Sequence, residues 1–199
     1  VNVALSCLLY VSDDDLVSVF HKSVVDWLLA KGYEDHEYTV KAIDGDRSLW
    51  VMCEQVFKEI KKIVCCGHDL SLTNNFKYAL RHGLQHLTSC ETIQSYTWLV
   101  DVVIVHVLIN ASEIDDMDTH LSQLWKDVLR VNTTIPNELR VRISWHIVDF
   151  DAFVNKNPLL KDPRHYLRSV FAHSPKICFS NDERKIAQSL LSKSPGLVN

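Results

Sequence analysis

Leu99-Val100-Asp101-Val102-Val103-Ile104-Val105-His106-Val107-Leu108-Ile109 is the most apolar run in the 199-residue chain. A membrane-spanning helix needs about 20 such residues. This run has eleven, with Asp101 and His106 among them. It therefore reads as a buried helix, part of a segment from about Glu91 to Asn110 at the centre of the fold. The rest of the composition agrees with a helical protein. Gly and Pro number only five each, whereas a β-sandwich or barrel needs many tight turns. Apolar residues make up 47% and charged residues 23%, an ordinary globular balance that excludes a disordered tail or a collagen-like chain. A net charge of −4 offers no basic face, so no nucleic-acid partner is expected. No membrane partner is expected either, and the six cysteines read as reduced, mostly buried thiols of a cytoplasmic protein.

Periodicity places the other elements. Val1 to Leu9 lacks the basic flank and cleavage site of a signal peptide, and reads as part of a fold element in a fragment of something longer. Leu8 to Val11 and Val17 to Phe20 are strand-like, separated by the acidic turn Asp13-Asp14-Asp15. A helix follows from about Lys22 to Lys31, with Phe20, Val24, Trp27 and Leu28 on one face and Gly32 as its stop. Asp44-Gly45-Asp46 reads as a loop before a helix from Ser48 to Val64. The stripe of that helix is Leu49, Met52, Cys53, Val56, Phe57, Ile60 and Val64, and Gly67 ends it. Thr73-Asn74 can cap a helix through Leu87, with Phe76, Leu80, Gly83, Leu84 and Leu87 inward. Leu121, Leu124, Trp125, Val128 and Leu129 mark the next. Thr133-Thr134-Ile135-Pro136 reads as a linker-like break. Ile143, Ile147, Phe150 and Val154 keep a helical period, although Val141, Ile143, Trp145 and Ile147 also alternate as a strand would. A short helix around Tyr166 to Phe171 and a last one opening at Asn181-Asp182-Glu183 complete the chain.

Catalytic and nucleotide motifs are missing. Neither Gly-x-x-x-x-Gly-Lys-Ser/Thr nor Gly-x-Gly-x-x-Gly occurs, so this chain alone cannot cradle a nucleotide by either backbone route. No Gly-x-Ser-x-Gly elbow is present. His82, His86 and Cys90 recur every four residues, with Cys65, Cys66 and His68 upstream. The sequence there lacks the Glu of His-Glu-x-x-His and any Cys-x-x-Cys, so no metal site is expected. Asp13-Asp14-Asp15 and Asp44-Gly45-Asp46 lack a calcium loop and read as solvated turns.

One stretch is more informative. Val19-Phe20-His21-Lys22-Ser23-Val24-Val25-Asp26-Trp27-Leu28 is a strand end, a polar corner and an amphipathic helix. Free backbone N–H groups and the positive dipole end at such a corner favour an anion, toward which His21 can donate a hydrogen bond. Phe20 to Leu28 resembles the Phe-His-Lys/x-Ser-Phe-x-Asp/Glu-Phe/Trp-Leu motif of the winged-helix region that follows the ATPase core in NACHT-type (STAND) signalling NTPases. Tyr38-Thr39-Val40, Asp44 to Leu49 and Cys53 resemble the Gly-His-x-x-Leu…Cys stretch opening their helical domain, with Asp46 where His is commoner. Tyr78 to Leu87 resembles their Tyr-Ala-x-x-His-x-x-x-His-Leu helix, which implies helix packing for His82 and His86. Phe150 to Asn157, Tyr166 to Val170 and His173 to Lys176 are similar to the segment leading to a C-terminal WD-repeat propeller.

The resemblance implies a mainly α fold with a small winged-helix remnant at the N-terminus followed by an α-helical array. It divides the chain into a partial winged-helix domain (1–45), a helical domain (46–135) and a helical linker (136–199) leading to WD or ankyrin repeats. It implies a non-catalytic regulatory region of a signal-transduction ATPase of the innate-immunity type. The chain would couple the ADP/ATP state of an upstream core to a repeat sensor, and the parent would form a homo-oligomer on activation. ATP/ADP and Mg belong to that parent. By position His21 would contact the ADP β-phosphate, with Phe20, Ser23 and Trp27 as scaffold. The alternative is an α-helical interaction scaffold with no nucleotide role.

Overall fold

The computed structural model describes residues 9–11, 17–19, 22–32, 36, 39–90, 93–111, 117–131, 135–156, 168 and 180–192. The protein is mainly α-helical and forms two compact units, Val1–Asp46 and Arg47–Asn199. The expected short helix around Tyr166 lies outside the described residues, Arg168 apart.

In the first unit, β1 (Leu9–Val11) pairs antiparallel with β2 (Val17–Val19), with Tyr10 opposite Ser18. Helix α1 (Lys22–Leu28) follows, with an exposed Lys22–Asp26 bridge of 3.0 Å one turn apart. The helix ends earlier than its period suggests. The N–H of Lys31 donates to the Asp26 carbonyl (2.8 Å) and that of Ala30 to the Trp27 carbonyl (3.0 Å). This paired closure puts Ala30 in the left-handed position, at φ 50°. Gly32, the expected stop, lies two residues beyond and also has positive φ.

Helix α2 (Ala42–Cys65) starts six residues before the expected Ser48, so Asp44-Gly45-Asp46 is helix and not loop. One glycine costs a helix about 1 kcal/mol, which the remaining turns of a 24-residue helix outweigh. Asp44 in the first turn also suits the dipole. Its buried stripe is Trp50, Cys53, Phe57, Ile60 and Val64, while Met52, expected inside, is 66% exposed. Gly67, at φ 83°, ends the helix as its sequence suggests.

Helix α3 (Asn74–Ser89) is capped by the Thr73 hydroxyl, which accepts from the Phe76 N–H. All five expected inward positions are buried, with Ala79 besides. Gly83 is needed for close packing: a Cβ there would stand 2.9 Å from the Phe57 ring and 3.1 Å from Cys53 Cβ.

The apolar centre differs most from its reading as one helix. It is a 3-10 segment (Ile93–Val100), a break at Asp101, and helix α4 (Val102–Ala111). Val102 to Ile109 are all buried, the mark of a helix apolar all round. Around it stand α5 (Met117–Val131), α6 (Asn137–Lys156) and α7 (Asn181–Ser192). α4 packs on α5, α7 and the 3-10 segment, and α6 packs on α5 and that same segment. The α6 stretch is helix throughout, so the strand alternation at Val141 to Ile147 is overridden by packing: Ile143, His146 and Phe150 are buried. Of the Thr133-Thr134-Ile135-Pro136 break, Thr133 and Thr134 lie outside the described residues. Ile135 is buried, the Pro136 carbonyl starts α6 by accepting from Arg140, and α5 and α6 pack together.

Among the described cysteines, Cys53 and Cys90 are buried, and burial pushes the Cys53 thiol up to about 11. Cys65 and Cys66 are instead exposed, on the last turn of α2 and just past it. No helix among the described residues is long and apolar enough to cross a membrane.

Candidate functional site

The break in the central segment is held by side chains from three helices, one of which is fastened in turn to a fourth. Asp101 supplies the cap of α4: its Oδ1 accepts from the N–H groups of Val103 (3.0 Å) and Ile104 (3.1 Å). An aspartate at this position satisfies donors that a helix start would otherwise leave open. Its Oδ2 pairs with the Lys61 ammonium of α2. On the other side, the last 3-10 carbonyls are reached from elsewhere. The Trp125 indole N–H of α5 donates to the Leu99 carbonyl (2.8 Å), and the Arg142 guanidinium of α6 to that of Val100 (3.3 Å). A long 3-10 run with weak internal bonding is uncommon, and here the neighbouring helices complete it.

The charges around the break are arranged in pairs. Arg142 Nη2 also binds Glu183 Oε1 on α7 at 2.6 Å, with only 13% of the arginine side chain exposed. Glu183 has a second task. Its Oε2 accepts from the Ser180 N–H (2.8 Å), and the Glu183 N–H donates to the Ser180 hydroxyl (3.2 Å). This is a reciprocal capping box, so one carboxylate both starts α7 and fastens it to α6. Burial pulls the Glu183 pKa up, but the Ser180 N–H and the Arg142 guanidinium outweigh it and hold the carboxyl below its usual range. On α2, Lys58 holds Glu54 below its usual range, and Glu54 accepts from the Trp98 indole at 3.1 Å. The Lys61 ammonium also lies 5.5 Å from the Trp98 ring centroid. Lys61, Thr97, Trp98, Asp101, Arg142 and Glu183 line a half-open cleft of about 330 Å³.

A buried imidazole lies beside this network. His146, one turn after Arg142, is 1% exposed and tilts against Trp125 at 5.2 Å between ring centroids. Burial, with a smaller push from Arg142, drives its pKa down to about 3.

The residues singled out from sequence are distributed differently. Phe20 and His21 lie outside the described residues. Ser23 is exposed in the first turn of α1. Trp27 is half-buried and stacks on His36, with centroids 4.1 Å apart and planes at 15°. The His36 ring nitrogen is bonded to the Trp27 carbonyl at 3.0 Å, a partnership that nothing in the spacing indicates. His82 and His86 do not join Cys90, whose thiol donates inward to the Leu87 carbonyl. Among the described residues no group of three or more His, Cys, Asp or Glu converges as a metal site would.

Sequence reading missed the joint because its parts lie far apart in the chain. Only one local signal was present: an aspartate followed by a β-branched helical run marks a helix start. No protein-family model matches the chain, and no curated protein and no solved structure matches it.

Proposed function

We propose that this chain is a non-catalytic regulatory and linker region of a NACHT-type signalling ATPase, relaying the nucleotide state of an upstream core to a C-terminal repeat sensor. The observation that carries the reading is the Phe20–Leu28 motif, whose last seven residues, Lys22–Leu28, are helix α1. The first unit, on this reading, is what survives of a winged helix. Its own residues do not cradle a nucleotide; the core supplies the phosphate site and Mg, and His21 donates a hydrogen bond to the ADP β-phosphate. The helical unit suits the relay physically. Its joint ties α2, α5 and α6 to one backbone break, and α7 to α6, so a displacement of any of them is passed toward the break at Asp101.

The test uses the full-length parent. A hydrogen bond to a charged group contributes about 1.5–3 kcal/mol, so His21→Leu should speed ADP release roughly ten- to hundredfold and raise the spontaneous oligomer fraction. Fluorescent-ADP release and light scattering read both. Release and oligomer fraction equal to wild type would leave the helical array as an interaction scaffold without a nucleotide role.

A further inference from the structure

Helix α3 carries an aromatic row outside its buried stripe. Tyr78, His82 and His86 recur every four residues on it; Tyr78 is 43% exposed and both histidines are half-buried. Their rings form a triangle, with centroids 5.0 Å apart for Tyr78 and His82, 6.4 Å for the two histidines and 6.0 Å for Tyr78 and His86. The Tyr78 hydroxyl and His86 Nε2 are hydrogen-bonded at 3.0 Å. A phenol that donates there keeps the imidazole proton on Nδ1 and the lone pair on Nε2, the tautomer that binds a metal through Nε2.

We propose that His82 and His86 form a two-imidazole chelate on the surface of α3 for a divalent late-transition-metal ion, with Tyr78 occupying the His86 lone pair when metal is absent. Neutral imidazole is a ligand of the type that Ni²⁺, Cu²⁺ and Zn²⁺ accept, whereas Mg²⁺ and Ca²⁺ require oxygen. Two imidazoles bound at about 2.0–2.1 Å to one tetrahedral ion hold their ring centroids about 5 Å apart. The rings now stand 6.4 Å apart, so chelation requires them to approach each other. A rigid helix presents the second imidazole at high effective concentration once the first is bound. With no third His, Cys, Asp or Glu converging among the described residues, the other coordination positions fall to water, and the neighbouring Arg81 cation weakens the site. The site is therefore open and exchangeable, unlike a closed structural zinc centre.

Ni²⁺ is the probe, titrated calorimetrically at neutral pH into the chain carrying Cys65→Ser and Cys66→Ser, which removes the thiols exposed among the described residues as competing ligands. One ion should bind. His82→Gln and His86→Gln should each weaken it at least about tenfold, equivalent to about 1.4 kcal/mol. His68→Ala, an exposed histidine outside α3, should leave the affinity unchanged. Ni²⁺ should raise the thermal midpoint of the parent and not of the two glutamine variants. The proposal is overturned if His82→Gln binds Ni²⁺ as tightly as the parent, if His68→Ala weakens binding equally, or if the parent takes up no Ni²⁺.

Discussion

Ala30 holds a backbone conformation that L-residues avoid. Its φ of 50° is imposed by the two hydrogen bonds that close α1. A side chain in the left-handed region costs about 1–2 kcal/mol, and glycine carries no such cost. Ala30→Gly should therefore stabilise the first unit by about 1 kcal/mol, after allowance for the greater freedom of glycine in the unfolded chain. Amide exchange across Lys22–Lys31 is the direct readout. Protection equal to or lower than wild type would mean that the closure does not strain Ala30. The nearby Gly32 made the end of this helix legible to within two residues. Its actual cap was not legible, because alanine carries no left-handed signal and only the hydrogen-bond pattern reveals it.

At the scale of the element, the central segment is decided by Asp101. Its carboxylate caps α4 with one oxygen and pairs with Lys61 through the other. Asp101→Ala removes both and leaves buried N–H groups open, a loss of about 1–3 kcal/mol. Asp101→Asn keeps an acceptor for the cap and should recover part of that loss. Denaturant unfolding of the three proteins separates the shares; an alanine variant as stable as wild type would show that the neighbouring helices alone hold the break. The apolar run around Asp101 was readable as buried and helical. Its division was not, because it depends on Trp125 and Arg142, 26 and 42 residues from the carbonyls they reach. The same holds for α7. Its start at Asn181 was readable, but the capping box begins one residue earlier at Ser180, and the docking of Glu183 on Arg142 spans 41 residues.

At the scale of the whole molecule, stability is tied to pH through the core. The ordinary His146 pKa of 6.5 falls to about 3 on folding. Above 6.5 the imidazole is neutral in both states and contributes no pH dependence. As pH falls below 6.5 the unfolded chain takes up a proton that the folded protein refuses, so stability declines until pH reaches about 3. One such proton is worth about 1.4 kcal/mol per pH unit. The lowered carboxyls of Glu54 and Glu183 act in a lower window, stabilising above their ordinary 4.5 and losing that contribution as pH falls further. Between 6.5 and about 5 the decline should thus be shallower in His146→Gln than in wild type, by about half a proton at the upper end and nearly one at the lower. Denaturant unfolding at several pH values measures it, and parallel slopes for the two proteins would refute the assignment.

Composition and periodicity by themselves determined that this chain is helical, which faces of α3 and α5 are apolar, and that its most apolar segment lies inside. Those properties depend on neighbours within one or two helical turns, which sequence spacing records. Tertiary structure alone decided where the central segment breaks, which charges meet there, that Trp27 stacks on His36, and that Cys65 and Cys66 face outward. Backbone polar groups in a dry interior must find partners wherever the fold brings them, and no spacing along the chain records which distant side chain will arrive.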